Sequence, residues 1–250
     1  SPSSTHAWML RETLRAAYGV EGPLPLVDWG RAFSAAKTAR TRPGRLRDIC
    51  RLAGIHRILV HAPPRPLSDL GWDEEVFVPL SDLVIPRRLS RKALSDLEEQ
   101  TSASIAGPSD LQGAVTAYLR RAAAAGARGA RVNLDPDIPL ARGSAGAMTA
   151  AFDRALSDAP GDPAPMNAFL LDAAAIAAAE AGMTLQVFIG GRTWAGVHLP
   201  HAPTELAGRL IEYVAAHPAV NFEVYCHAAG LTQELCVAAK YQANLHLGGA

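Results

Sequence analysis

Residues Asn221–Gly230 have the sequence NFEVYCHAAG, and this stretch decides the fold. Its apolar run predicts a strand over Phe222–Cys226, which delivers one imidazole, His227, into a turn of small residues. A helix is expected next, with Thr232 as its N-cap. Because α/β proteins place their chemistry at the carboxyl ends of strands, before the crossover helices, His227 is the first candidate functional residue.

The same plan recurs upstream in Met183–Trp194, MTLQVFIGGRTW, where Gly190, Gly191 and Arg192 follow a strand expected over Thr184–Ile189. The other expected strands are His56–His61, Glu75–Ile85, Ala130–Leu134 and Asn244–Leu247. Helices are expected over Thr5–Tyr18, Asp28–Arg40, Pro43–Gly54, Asp110–Ala125, Ala145–Leu156, Pro165–Ala181, Thr204–Ala216 and Thr232–Tyr241. Strands that alternate with helices predict parallel βαβ units.

An open doubly wound sheet and a closed barrel both fit this alternation, and two observations favour the barrel. No glycine-rich phosphate-binding motif follows any strand. Polar residues instead follow many of the strands, as in sites built from several loops at a barrel mouth: His61, Asp82, Asn133, Arg192 and His227. Since the usual barrel has eight strands, we expect strands two to seven here, with the first and last not evident. The expected organisation is one domain, with a helical entry segment over 1–54 and βα units over 55–250.

Composition and charge exclude several classes of partner. The 24 basic and 24 acidic side chains cancel, which gives no electrostatic reason to expect nucleic acid or an anionic membrane. No apolar stretch is a membrane span, and the first residues show no secretory signal. Cys50, Cys226 and Cys236 lack metal-ligand spacing and are expected to be reduced thiols of a cytoplasmic protein. Exposed barrel faces favour a homo-oligomer.

Several stretches together resemble the amidohydrolase superfamily, and within it the branch around uronate (glucuronate) isomerase. The stretches that carry the resemblance are Trp8–Arg11, Leu52–Val60, Met183–Gly190, Phe222–Gly230 and Asn244–Ala250. The resemblance implies a (β/α)8 TIM-type barrel of the metal-dependent hydrolase kind. It also implies an enzyme that isomerises or hydrolyses a small polar, carboxylated substrate.

The resemblance further implies a divalent metal at the barrel mouth, with zinc the expected ion. In the family the first strand supplies a His-x-His pair and the eighth an aspartate, and some members add a lysine on strand four and histidines on strands five and six. This chain has no His-x-His, and His6 precedes a tryptophan where the second histidine belongs. Asn133 stands at the lysine position and Phe188 at the strand-five position, whereas His227 keeps the strand-six histidine. The alternative is therefore a metal-free or non-catalytic barrel relative that binds a ligand or serves as an assembly partner.

Each candidate residue has a functional and a structural interpretation. His227 is either a metal ligand or proton-transfer group or else a hydrogen-bonded core histidine. Arg131 and Asn133 share one face of their strand, where Asn133 is the second catalytic candidate; they either meet a substrate oxygen or form a polar layer that only packs. Arg192 either holds a substrate carboxylate bidentately or lies on the surface.

The remaining candidates lie in loops. Trp194 is a substrate-binding candidate in the loop Arg192–Pro203, which also holds a pair of histidines, His198 and His201, that fits a surface loop better than a metal site. His61 either contacts substrate or stabilises the turn before two prolines, and Asp82 is either an interior carboxylate or a turn residue. The charge run 87–92 is expected to be a solvated face at a helix start.

Overall fold

The computed structural model describes residues 5–19, 29–40, 42, 44–82, 90–134, 140, 144–157, 159, 161, 164–194, 197–200, 203 and 205–248. Within these ranges the side chains at 5–7, 17, 40, 82, 192–194 and 197–200 are outside the description. The chain forms two compact units, one of Ser1–Ile58 with Asp73–Phe77 and the other of Leu59–Trp72 with Val78–Ala250.

The described residues form eight strands and nine α-helices. The strands are β1 (Ile58–His61), β2 (Phe77–Asp82), β3 (Gly129–Asn133), β4 (Thr184–Ile189), β5 (Gly191–Trp194), β6 (Val197–Pro200), β7 (Phe222–Cys226) and β8 (Leu245–Leu247). The helices are α1 (Thr5–Tyr18), α2 (Trp29–Arg40), α3 (Arg45–Leu52), α4 (Arg91–Thr101), α5 (Pro108–Ala124), α6 (Ala145–Leu156), α7 (Ala164–Glu180), α8 (Leu206–Ala216) and α9 (Ala229–Ala239). A short 3-10 helix covers Ser68–Leu70.

All six expected strands are present, and the expected helices agree with the observed ones to within three residues at each end. The largest shift is at α9, which begins at Ala229 rather than at Thr232. Ala228 occupies the N-cap position with extended backbone, so the prediction that Thr232 caps this helix is wrong. The helix can start early because Ala229, its first residue, has the highest helix propensity, although Gly230 in the first turn costs about 1 kcal/mol.

The segment expected to be the loop Arg192–Pro203 is instead largely an antiparallel hairpin of β5 and β6, with Thr193 opposite His198. The expectation of a loop is therefore wrong. Only Gly190 separates β4 from β5, and its φ of 76° turns the chain directly into the hairpin. A four-residue strand leaves too short an alternation to be recognised in sequence.

The order of strands in the sheet decides between the two expected architectures. The main sheet runs β1-β2-β3-β4-β7-β8, which is the order of the chain once the separate hairpin β5-β6 is set aside. A doubly wound sheet reverses its strand order at a switch point, and this sheet does not. Consecutive neighbours from β2 onward pair in parallel, so right-handed crossovers put the helices on one face, as in a barrel wall. Among the described strands, β1 and β8 form the two edges.

The helix-covered face of the sheet is apolar and holds the main core. The side chains on this face alternate with those of the opposite face along each strand, and they include Val132, Leu185, Val187, Phe222 and Val224, each at most 1% exposed. Helix α7, rich in alanine, packs against β4 and α5, so its small side chains let the helix approach the sheet closely. None of the helices in the described part of the chain is both long and apolar enough to span a membrane.

The first unit has a small core of its own. Leu14 of α1 and Ala32 of α2 are buried together, with Tyr18 packed against them. Arg47 of α3 pairs with Asp73 and Glu75 at 2.8 and 2.7 Å, and its hydrogen bond is the main reason that the pKa of Asp73 lies below its ordinary value. Because these groups are exposed, the ion pairs add little to stability.

One asparagine ties the amino end of β8 to the end of α8. The Asn244 Nδ2 lies 3.2, 3.1 and 3.1 Å from the carbonyl oxygens of Val214, His217 and Val220, which share its two protons. Two of these carbonyls, those of Val214 and His217, lie at the carboxyl end of α8, and they also accept from the backbone N–H groups of His217 and Val220 at 3.1 Å. The side chain therefore acts as a C-terminal cap supplied by a neighbouring loop.

Replacement of Asn244 with alanine is expected to lower the free energy of unfolding by about 2 kcal/mol, because the carbonyl oxygens around the amide lose its hydrogen bonds and that of buried Val220 loses the donor described for it. Urea denaturation of the variant measures this loss. Asn221→Ala, at an exposed position before β7, is the matched control and is expected to change stability by less than about 0.5 kcal/mol. Equal stability of the two variants would contradict the capping role.

Candidate functional site

The face of the sheet opposite the core carries a row of polar residues at one level. The pairing register places Asp82 opposite Arg131, Arg131 opposite Gln186, Gln186 opposite Glu223, and Glu223 opposite His246. Five strands that are neighbours in the sheet thus contribute one polar position each. In a barrel wall this face lines the interior, so the row forms a polar layer below the carboxyl ends of the strands.

Three members of this face are joined by short hydrogen bonds. Gln186, which is 4% exposed, donates through Nε2 to Glu223 Oε2 at 2.6 Å. The Tyr225 hydroxyl donates to the other carboxyl oxygen, Oε1, at 2.8 Å. Both oxygens of Glu223 are therefore engaged, which compensates for the cost of keeping a carboxylate half-buried.

The phenol of Tyr225 is held neutral over an extended pH range. Burial is the larger cause and the neighbouring Glu223 carboxylate the smaller, and together they raise the pKa of Tyr225 to about 12. Both effects act in the same direction because ionisation would place a second negative charge in a partly desolvated site. At neutral pH the hydroxyl is a hydrogen-bond donor.

A pH titration tests this environment. Because the pKa of Tyr225 is raised on folding, the stability from its neutral phenol is complete below about pH 10, its unfolded pKa, and is lost as pH rises towards about 12. The tyrosinate difference spectrum between wild type and Tyr225→Phe isolates this group among the five tyrosines. In Glu223→Gln the midpoint is expected to move part of the way back towards 10, since burial remains. An unchanged midpoint would contradict the contribution of Glu223.

A second row lies one level nearer the carboxyl ends of the strands, and in it Phe188 is paired in register with Asn133 on one side and Tyr225 on the other. Its ring stacks on that of Tyr225 with centroids 4.4 Å apart and planes 3° from parallel. The Arg131 guanidinium lies over the ring at 5.5 Å from the centroid, a cation–π distance. Since β3 and β7 flank β4, arginine and tyrosine approach Phe188 from opposite sides. The other side of the Tyr225 ring meets Gly248, where an added Cβ would overlap the ring.

His227 stands one level higher, directly after β7. Its backbone N–H donates to the Ile189 carbonyl at 2.9 Å, which anchors the turn to the end of β4. The imidazole is exposed, and its centroid lies 6.3 Å from that of Phe188. The interpretation of His227 as a core histidine is therefore wrong. The turn packs closely against Gly190, since a Cβ on Gly190 would lie 3.0 Å from the nitrogen and 3.1 Å from the Cβ of Ala228.

The structure brings some of the sequence-predicted residues together and leaves others apart. Arg131 is half-buried and Asn133 exposed on the same face of β3, as expected, and Asn133 pairs in register with Phe188. His61 is exposed at the end of the edge strand β1. Cys226 is a free, half-buried thiol that donates to the Ala228 carbonyl.

Other predicted residues fall wholly or partly outside the described residues. The structure gives the backbone of Arg192, Trp194 and His198, which lies in β5 and β6, but not their side chains. His201 lies wholly outside the described residues. Asp82 ends β2, but its side chain is also outside. The charge run 87–92 is described only from Ser90 onward; there Ser90 caps α4 and Lys92 pairs with Asp96 in solvent.

Three residues of this site were missed from the sequence: Gln186, Glu223 and Tyr225. A signal was present, because Glu223, Tyr225 and His227 alternate along one strand and therefore share a face. Their contact with Gln186 depends on the register between β4 and β7, which no local pattern reveals.

The described residues do not by themselves fit a metal ion. Among them, no group of three or more histidine, cysteine, aspartate or glutamate side chains lies close enough to hold one. The Phe188 ring, whose centroid lies 6.3 Å from that of His227, cannot ligate, and both oxygens of Glu223 are already bonded within the chain. A metal at this mouth would need ligands from outside the described residues.

Comparison with solved structures supplies the wider context. The fold is similar to glucuronate isomerase from Caulobacter crescentus, with 15% identity, a TM-score of 0.75, and coverage of 100% of this chain and 58% of that one. It is also similar to the uronate isomerases of Thermotoga maritima (11% identity, TM-score 0.72, 99% and 60% coverage) and Bacillus halodurans C-125 (13%, 0.66, 99% and 56%).

These likenesses confirm the predicted α/β fold of the TIM-barrel kind and the resemblance to uronate isomerases in fold. The chain spans less than two thirds of the length of each of these structures. No protein-family model matches the sequence, and no curated protein matches it either.

Proposed function

We propose that this chain carries the site of an isomerase of the uronate isomerase kind, acting on a small substrate that bears a carboxylate and hydroxyl groups. The observation that carries the proposal is the exposed imidazole of His227 at the carboxyl end of β7, above a polar interior face. Its support from outside the chain is the fold shared with proteins named uronate and glucuronate isomerases.

The proposed reaction interconverts an aldose acid and a ketose acid. One proton moves from C2 to C1 and another from O2 to O1, so the atoms balance without a co-reactant. His227 would carry the carbon-bound proton, since an imidazole both accepts and releases protons near neutral pH. Asn133, exposed at the end of β3, would hydrogen-bond a substrate oxygen.

Four further residues are proposed to bind the substrate. Arg131 or Arg192 would hold the carboxylate, for which a guanidinium is the preferred partner. Trp194 and His61 would contact the remainder of the molecule. A divalent metal, zinc by preference, would polarise the carbonyl when bound; it would need ligands from outside the described residues, with or without His227, and no role given to this chain's side chains depends on it.

The proposal is tested by incubating the purified protein with glucuronate in deuterium oxide. Isomerisation is expected to produce the ketose and to introduce deuterium at the carbon that receives the proton, both detected by NMR. Elemental analysis of the same sample measures the metal content. Absence of both ketose and deuterium, in a metal-replete sample that binds glucuronate, would contradict the isomerase.

A second candidate, a metal-free ligand-binding relative, is favoured by one observation. Phe188 occupies the position of a family histidine and is packed between Arg131 and Tyr225. This candidate predicts saturable glucuronate binding with no turnover at any metal concentration, so the same experiment separates the two.

We also propose a cytoplasmic location and a homo-oligomeric state. The three cysteines are free thiols, which suits a reducing compartment. Size-exclusion chromatography with light scattering tests the oligomer.

A further inference from the structure

The pair formed by Glu223 and Tyr225 has no role in the proton transfer proposed above, yet it is built with unusual constraint. The Tyr225 ring is packed on one side by Phe188 and on the other by Gly248. Its hydroxyl is fixed by Glu223, which is fixed in turn by the buried Gln186. A ring held on both sides keeps its hydroxyl at one point of the interior face.

The direction of the hydrogen bonds decides what this hydroxyl can bind. Tyr225 has one proton and donates it to Glu223 Oε1. Its oxygen retains lone pairs and can therefore only accept from a ligand. A ligand hydroxyl fits this requirement, whereas a carboxylate offers no proton and would be repelled by Glu223.

A cation lies on the other side of Phe188. The Arg131 guanidinium and the Tyr225 ring approach Phe188 from opposite sides, at 5.5 and 4.4 Å from its centroid. They are thus separated by about 10 Å, or two strand spacings. The interior face thus carries a guanidinium at β3 and a hydrogen-bond acceptor at β7.

We propose that Tyr225, positioned by Glu223, binds a hydroxyl group of the substrate and so sets its direction, with the carboxylate towards Arg131 and the hydroxyl-bearing carbons towards β7. The ligand class is a carboxylate that carries hydroxyl groups. This inference rests on the proposed function for its substrate class, but it concerns binding and not turnover.

The test compares two probes of equal carbon number by isothermal titration calorimetry: glucuronate, and hexanoate, which has the carboxylate without hydroxyls. Tyr225→Phe keeps the ring between Phe188 and Gly248 and removes only the hydroxyl oxygen. It is expected to weaken glucuronate binding about tenfold and to leave hexanoate binding unchanged. Glu223→Gln is expected to weaken glucuronate binding in the same selective way.

Two controls separate this role from a structural one. Tyr241→Phe, at an 84% exposed tyrosine after α9, is expected to change neither affinity. Arg131→Gln is expected to weaken both probes, because both carry the carboxylate. A purely structural effect of Tyr225→Phe would instead lower both affinities together.

The outcomes distinguish this inference from the proposed function. If wild type and Tyr225→Phe bind glucuronate equally, or if the variant loses both probes equally, the hydroxyl-binding role is wrong and the isomerase proposal stands. If glucuronate binds selectively but is not converted, the isomerase proposal fails and this inference stands. Failure of wild type to bind glucuronate would contradict both.

Discussion

Replacement of His227 with alanine is expected to lower the rate of glucuronate isomerisation by at least about a hundredfold, the usual loss when a proton-transfer group is removed. The imidazole is exposed at the mouth of the sheet, and the backbone N–H of His227 holds the turn to Ile189. The fold is therefore expected to remain, with a change in the free energy of unfolding below about 0.5 kcal/mol.

The matched control is His56→Ala, an exposed histidine before β1 and far along the chain from the carboxyl ends of β4 and β7. It is expected to retain full activity. The rate constant of deuterium incorporation, measured at saturating glucuronate, separates loss of proton transfer from loss of binding. An active His227→Ala variant would remove the central residue from the proposed mechanism and favour another proton carrier.

Gly190→Ala is the substitution with the largest expected effect on stability, a loss of about 3 kcal/mol. Gly190 has a φ of 76°, in the left-handed region that an L-residue rarely adopts. Its added Cβ would also lie 3.0 Å from the nitrogen and 3.1 Å from the Cβ of buried Ala228. The backbone cannot yield there without moving His227, so activity is expected to fall as well.

Gly182→Ala separates the cost of the left-handed backbone conformation from the cost of the contact with Ala228. Gly182 has a similar φ of 63°, but nothing lies within 4 Å of its added Cβ. The free energy of unfolding of Gly182→Ala is expected to fall by about 1 kcal/mol, from conformational strain alone, with unchanged activity. Urea denaturation measures both variants, and losses of equal size would show that the contact with Ala228 has no energetic consequence.

Secondary structure was predictable from sequence because its signals are local. The strands at β3, β4 and β7 are apolar runs between helices, and the helices keep their periodic apolar faces. The hairpin of β5 and β6 was missed, since each strand is four residues long and the turn into it depends on one glycine conformation. Alternation along β3 also placed Arg131 and Asn133 on one face, as the structure has them.

The candidate site was predictable only in part. His227 was found because it follows a recognisable strand, and its exposure was not foreseen because burial depends on what packs around a turn. Tyr225 and Glu223 lie within the same ten residues, but the apolar pattern of that strand does not distinguish them as site residues. Their contacts with Gln186 and Phe188 exist only because β4 lies alongside β7.

The sequence NFEVYCHAAG by itself determined a strand, a histidine at its carboxyl end and a turn of small residues, because these follow from side-chain size, polarity and period. Only the tertiary structure decided which neighbours that strand has. The chain-order winding of the sheet and the register of β4 against β7 place Gln186 on Glu223 and Phe188 on Tyr225. The physical reason is that pairing between parallel strands joins residues far apart in sequence, through crossovers whose length leaves the register open.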